Sequence, residues 1–394
     1  MNNSIPDHIF SCISTLNSHG FEAWLVGGCV RDIIIGRIPH DFDVATNALP
    51  GEVLSVFEKV VPTGVKYGTV TVLFDMGSVE VTTFRTDGEY IDSRHPENVE
   101  FSGELESDLS RRDFTVNAIA YHPDKGFFDP FSGVDDIHGR LIKTVGSPSA
   151  RFGEDALRIF RCFRFSAQLS FVIEQDTKKE ALRLAKSLEN ISIERIAAEL
   201  LKSLCAPSPE NIEPLLDSGA LEFLGIKNGE LSPAKNLQND EICRLAAFIY
   251  LTKSDIDVCK RLKLSNKIQS DTNFILDMLQ KDTLPDKRSR KQLLNKTGFE
   301  TYIKWLSLEK DLKHTDTDEF ITEAENIIRE NIPINLHMLD IDGNALKNAG
   351  IPDGQLIGQI LNQLLLDVLD DPSLNKREIL LEKSLEITKI YLLS

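Results

Sequence analysis

With 394 residues, 41% of them apolar and 27% charged, the chain has the length for about two to four domains and a sizeable buried core. No apolar run approaches the roughly 20 residues of a membrane span, and the start, Met-Asn-Asn-Ser-Ile-Pro-Asp-His, lacks the basic opening and apolar centre of a secretion signal, so a membrane-embedded or exported protein is not expected. The net charge of −17 argues against indiscriminate nucleic-acid binding, but residues 140–203 hold 12 basic and 8 acidic side chains, a positive island that a polyanion can find.

Taken in chain order, residues 8–18 predict a helix, 23–26 a strand, 30–35 a helix ended by Gly36, and 41–45 a second strand. A helix over 49–57 carries Pro50 in its first turn, and the β-branched runs 68–74 and 79–85 predict strands. The polar segment 86–98 reads as a mobile loop. From Arg151 onward apolar residues recur at helical spacing, with breaks near Pro207 and Pro209 and joints near Gly219, Pro233, Pro285 and 331–333. The expected architecture is an α/β head around a small mixed sheet, followed by an all-helical remainder. The six cysteines are scattered and form no C-x-x-C pair, which predicts a reduced, cytoplasmic protein without structural zinc.

The run Leu25-Val26-Gly27-Gly28-Cys29-Val30-Arg31-Asp32, followed by Asp41-Phe42-Asp43, concentrates the chemistry. A glycine pair between a strand and a short helix can turn backbone N–H groups toward a phosphate. Residues i and i+2 of a strand share a face, so Asp41 and Asp43 are candidates to hold hard divalent cations through oxygen. A surface D-x-D turn is the plainer alternative. Glu80, between Val79 and Val81, is a candidate third metal ligand if its strand pairs beside that of Asp41, and otherwise a surface acid.

Two further runs carry donors and acceptors. In Arg111-Arg112-Asp113-Phe114-Thr115-Val116-Asn117, Arg112 can clamp a phosphate or sugar bidentately, and Asp113 and Asn117 can bond a ribose hydroxyl. In Glu154-Asp155-Ala156-Leu157-Arg158, continuing to Arg161 and Arg164, the arginines recur every three residues and fan along one side of a helix. An acceptor at Asp155 with a donor fork at Arg158 matches the amino group and ring nitrogen of either cytosine or adenine, and matches neither guanine nor uracil. The plainer alternative is a surface ion-pair ladder. Asp129-Pro130 through Asp136 reads as a turn with capping carboxylates, and Lys287-Arg288-Ser289-Arg290-Lys291 as a solvated basic cluster or a phosphate contact. Gly354 to Gly358 reads as a helix start rather than a nucleotide loop.

In this order, the stretches 25–46, 111–118, 129–136 and 154–165, with Ser192-Ile193-Glu194-Arg195 through Glu199, resemble the class II tRNA nucleotidyltransferase and poly(A) polymerase family, nearest its bacterial CCA-adding branch. The resemblance implies a nucleotidyltransferase head (1–139), a helical neck with a nucleobase-selecting helix (140–205), a helical body (206–300) and a tail (301–394) in an elongated hooked shape. It implies Mg²⁺ on Asp41 and Asp43, phosphate contacts from Gly28 and Arg31, and a ribose side addressed by Arg112 with Asp113. Base selection falls to Asp155 and Arg158, and Arg161 and Arg164 extend the nucleotide pocket. The implied partners are CTP, ATP and the 3′ acceptor end of tRNA, with room for a homodimer and none for a membrane. Residues 64–70 look like the CCA-adding branch more than the poly(A) branch, and the loop 86–98, missing in relatives that stop after CC, reads Arg94-His95-Pro96 where relatives often show two arginines.

Overall fold

A computed structural model describes residues 5–39, 41–87, 99–281, 283–352 and 354–393. It divides into two units, Met1–Lys235 with Leu251–Leu264, and Asn236–Tyr250 with Ser265–Ser394.

The first unit is built on a seven-stranded mixed sheet in the order β3-β4-β5-β2-β1-β8-β9. Its strands are β1 (Ala23–Val26), β2 (Asp43–Thr46), β3 (Val60–Gly64), β4 (Thr69–Phe74), β5 (Gly77–Thr83), β8 (Ala120–His122) and β9 (Gly126–Phe128). Between β5 and β8 lie β6 (Arg85–Asp87) and β7 (Val99–Phe101), a separate antiparallel pair. The β2–β5 pairing is parallel, and β1 lies antiparallel to both β2 and β8. All four β1 residues are buried, as a central strand requires. Helix α1 (Asp7–Ser18) turns Ile9, Cys12, Ile13 and Leu16 into the core. Trp24, Val26, Ala45, Phe84, Leu109 and Ala120 form a second apolar cluster.

Most predicted elements of the head are present, with corrections at the functional end. The β2 ladder starts at Asp43, not Asp41, because β1 ends at Val26, the partner of Asp43, and Gly27 leaves the sheet; on the other side Asp43 pairs with Glu80. Helix α2 (Gly28–Ile35) starts two residues earlier than expected, since Gly27 at φ 81° already makes the turn. Phe84 interrupts the run 79–85, and the short, weakly alternating strands β3, β7 and β9 fall outside the predicted strands. Of the loop 86–98, residues 88–98, including Arg94-His95-Pro96, lie outside the described residues.

The helices that follow are α3 (Pro50–Val56), α4 (Leu105–Ser110), α5 (Gly133–His138), α6 (Pro148–Glu154), α7 (Leu157–Leu169), α8 (Gln175–Leu184) and α9 (Ile193–Leu204). Asp129 accepts from the N–H groups of Gly133 and Val134 at 2.8 Å each, so it caps α5. Arg158, Arg161 and Arg164 all lie on α7. Asp155 lies outside that helix, in an extended conformation between α6 and α7.

Among the described residues, the regular elements of the second unit are all helices. Leu346, Ile360, Leu364, Val368 and Leu380 form one buried cluster, and Phe274, Tyr302 and Trp305 pack edge to face. The basic run 287–291 is partly paired within this unit, with Lys287 and Arg288 still exposed. Arg290 pairs with Glu323 at 3.0 Å and covers the Phe320 ring at 3.9 Å, Arg288 meets Asp370 at 3.7 Å, and Lys291 bonds the Leu369 carbonyl.

Candidate active site

A cleft of about 710 Å³ in the first unit gathers residues from the runs 25–46, 111–118, 154–165 and 192–199. Gly27 forms its floor with a backbone at φ 81° and ψ −138°. A Cβ there would stand 2.8 Å from Arg112 Nη1 and 3.8 Å from Asp43 Oδ2, so only glycine lets the chain pass this close to both. Gly28 opens α2, and Arg31 folds back over the helix start. Its guanidinium donates to Asp32 Oδ1 through Nε (2.9 Å) and Nη2 (2.8 Å) and to Asn117 Oδ1 through Nη1 (2.6 Å).

Asp41 and Asp43 stand at the mouth of this cleft and also border a second hollow of about 640 Å³, lined in addition by His8, Thr71 and Glu80. Glu80 is the direct partner of Asp43 across β5, which meets the pairing condition set by the sequence. Desolvation raises the Asp43 pKa, the neighbouring Glu80 and Asp41 carboxylates raise it further, and Arg112 opposes them. Among the described residues no three His, Cys, Asp or Glu side chains close into a metal-binding cluster, so the three acids stand as neighbours rather than a formed cage. Their donors are all oxygen and their mutual field is negative, which suits a hard divalent cation.

The 111–117 run forms a buried polar frame. Asp108 accepts from Arg111 (2.6 Å) and Arg112 (3.1 Å); burial raises its pKa, but these two guanidiniums outweigh it and hold it low. Asp113 takes four bonds: Phe114 N–H (2.9 Å) and Asn117 Nδ2 (3.1 Å) on Oδ1, and Arg161 Nε (2.8 Å) and Nη2 (2.6 Å) on Oδ2. These saturate the carboxylate. Burial raises its pKa, yet the Arg161 pair and the Asn117 bond bring it down to about 2. Asn117 thus links Arg31 to Asp113 with its oxygen toward the cation and its amide toward the anion.

At the far wall the expected Asp155–Arg158 couple is held differently from what spacing suggested. Asp155 accepts from Leu157 N–H at 2.9 Å and from Arg195 Nη2, on α9, at 2.7 Å. Arg158 bonds the Glu154 carboxylate, the Arg151 carbonyl (3.2 Å) and the Arg111 carbonyl (3.1 Å). The two groups are anchored separately, because the helix break at Asp155 takes it off the α7 face. Arg164 forms an ion pair with Glu199 at 2.5 Å and donates to Gln168 at 2.6 Å; burial lowers its pKa and Glu199 opposes the shift.

The cleft therefore unites Gly28, Arg31, Asp41, Asp43, Arg112, Asp113, Asp155, Arg158, Arg161 and Arg164, and leaves Glu80 to the adjoining hollow. Phe165, Gln168, Arg195 and Lys202 also line it and were not selected from sequence. Arg195 lies within the fifth stretch, 192–199, but nothing local says that it reaches a residue 40 positions earlier.

Three family models match the chain in order: "Poly A polymerase head domain" over residues 23–143, "Probable RNA and SrmB- binding site of polymerase A" over 170–225, and tRNA nucleotidyltransferase domain 2 over 237–384. The CCA-adding enzyme of Streptococcus gordonii is 35% identical over 368 residues, 91% of this chain and 92% of its own length. That of Geobacillus kaustophilus is 36% identical over 386 residues, covering 93% of each. Among solved structures, the Bacillus stearothermophilus CCA-adding enzyme in complex with CTP superposes with a TM-score of 0.83 at 29% identity, covering 97% of both chains. Sequence kinship that spans nearly the whole of both partners, together with this shared fold, establishes that the chain belongs to the family of bacterial CCA-adding enzymes.

Proposed function

We propose that this enzyme adds C, C and A to the 3′ end of tRNA from CTP and ATP, releasing pyrophosphate. The observation that carries the reading is one cleft in which paired carboxylates, a glycine turn at a helix start and a separately anchored acid and guanidinium converge. Asp41 and Asp43 are the residues to hold divalent metal, Mg²⁺ in our reading, with Glu80 beside them. Metal bound there would lower the pKa of the attacking hydroxyl and offset charge on the leaving pyrophosphate. The RNA 3′-oxygen attacks the α-phosphorus, its proton is lost to solvent, and the bond to the β-phosphate oxygen breaks.

The protein's part is largely placement. The Gly27-Gly28 turn and Arg31 take the phosphates. Arg112, whose buried Nε has no hydrogen-bond partner, offers a donor that a bound anion would satisfy, and it addresses the ribose side with Asp113 fixed behind it. Asp155 retains lone pairs for an amino group and Arg158 retains N–H groups for a ring nitrogen, which fits cytosine and adenine alike. Arg161 and Arg164 complete the pocket. The helical segments after residue 139, as neck, body and tail, carry the acceptor RNA, and the cytoplasm is where that substrate is made.

Incubating tRNA that ends at its discriminator base with CTP and ATP tests the reading. The expected product is extended by CCA. A long A tail with ATP alone would instead identify a poly(A) polymerase, the reading suggested by the matched head model.

A further inference from the structure

We infer that Phe165 is a positioning residue for the nucleotide's polyphosphate, the ring around which three cleft arginines are gathered. Arg164 stacks on it with Cζ 3.6 Å from the ring centroid, and Arg31 and Arg161 each bring Cζ to 5.3 Å. Phe165 is only 5% exposed, and Phe114 fixes it edge-on at 5.7 Å. The arginines come from two elements far apart in sequence, Arg31 from α2 and the others from α7.

Like charges so close repel, and each guanidinium has one carboxylate of its own: Asp32, Asp113 and Glu199. A fourth acid at the centre would draw the arginines together but consume the N–H groups that a phosphate needs. An aliphatic side chain would fill the space and leave the repulsion unopposed. An aromatic ring attracts all three through its electron-rich face and occupies none of their N–H donors. Helix α7 thus supplies the ring and two of the cations from one short stretch.

The inference rests on the reading that these arginines bind the nucleotide, so its test separates the two. The full-length enzyme is prepared with phenylalanine carrying one, two or three ring fluorines at position 165, which keeps the shape and drains the face of charge. KM for CTP and ATP and inhibition by inorganic tripolyphosphate are measured. The expected result is a parallel rise in both KM values and in the tripolyphosphate Ki with each fluorine, reaching on the order of tenfold, while kcat and the preference for CTP over UTP stay level. Phe165→Leu should match the most fluorinated form. Constants that ignore fluorine content, or a loss confined to kcat, overturn the role of Phe165. Arg31→Ala serves as the reference: if it leaves tripolyphosphate inhibition unchanged, the cleft is not the polyphosphate site and both readings fall. If it weakens inhibition while fluorination does nothing, only the role of Phe165 falls.

Discussion

Arg195 donates to Asp155 across 2.7 Å, tying the start of α9 to the break between α6 and α7. The candidate base-reading acid is thereby oriented by a third helix, and not by its sequence neighbour Arg158. Exchanging Asp155 for Asn replaces an acceptor-only group by one with a donor, and should relax discrimination against UTP and GTP by roughly ten- to a hundredfold. Arg195→Ala should relax it in the same direction and add little in the Asp155→Asn background. Misincorporation ratios on tRNA ending at the discriminator base measure both. Unaltered preference in both variants would remove Asp155 from base selection.

Asp41 and Asp43 border the cleft, and among the described residues Arg112 offsets the charge of Asp43. Asp41→Ala should therefore cost several kcal/mol of barrier, seen as near-complete loss of single-turnover addition. Binding of tRNA, measured by filter retention, should remain close to native. Retained turnover would show that the acids do not carry the chemistry.

The saturated Asp113 makes a stability prediction. Its folded pKa, about 2, lies below the ordinary carboxylate value, so its contribution is fully present above about pH 4 and is lost as the pH falls through 2. Asp113→Asn should remove about 1.5–3 kcal/mol at neutral pH, because the bonds to the Arg161 guanidinium lose their charge. Urea unfolding at pH 7 and pH 3 checks this, with the gap between native and variant narrowing at the lower pH.

Gly27→Ala combines a left-handed backbone with a methyl placed 2.8 Å from Arg112 Nη1. This positive-φ, extended-ψ region is open essentially to glycine, and the backbone strain is worth about 1–3 kcal/mol. The arginine can swing away, so the fold should survive while Arg112 leaves its place beside Asp43. The expected outcome is a melting point lowered by a few degrees and a disproportionate fall in kcat/KM for both nucleotides. A fall in stability with native kinetics would contradict the close approach.

Much of the candidate site is legible in the sequence because its signals are local. Gly27-Gly28 marks a turn, Asp41 and Asp43 sit one residue apart, and three arginines repeat along α7. The strand boundary at Asp43 was missed because pairing, not propensity, sets where a ladder ends. The basic run 287–291 reads as a solvated cluster or a phosphate contact, and the acids that Arg288 and Arg290 meet, Asp370 and Glu323, come from separate helices that no window over 287–291 contains.

By itself, the order of residues determined which groups can do chemistry: oxygen donors for metal, a glycine turn for phosphate, an acid and a guanidinium for an amino-bearing base. It did so because residue type and short spacing fix donor, acceptor and backbone capability before folding. Only the tertiary structure decided how those groups are held: Asp155 by Arg195, Asp113 by Arg161 and Asn117, and three arginines by one phenyl ring. Such bonds join segments tens of residues apart, and their geometry exists only once the sheet and helices have packed.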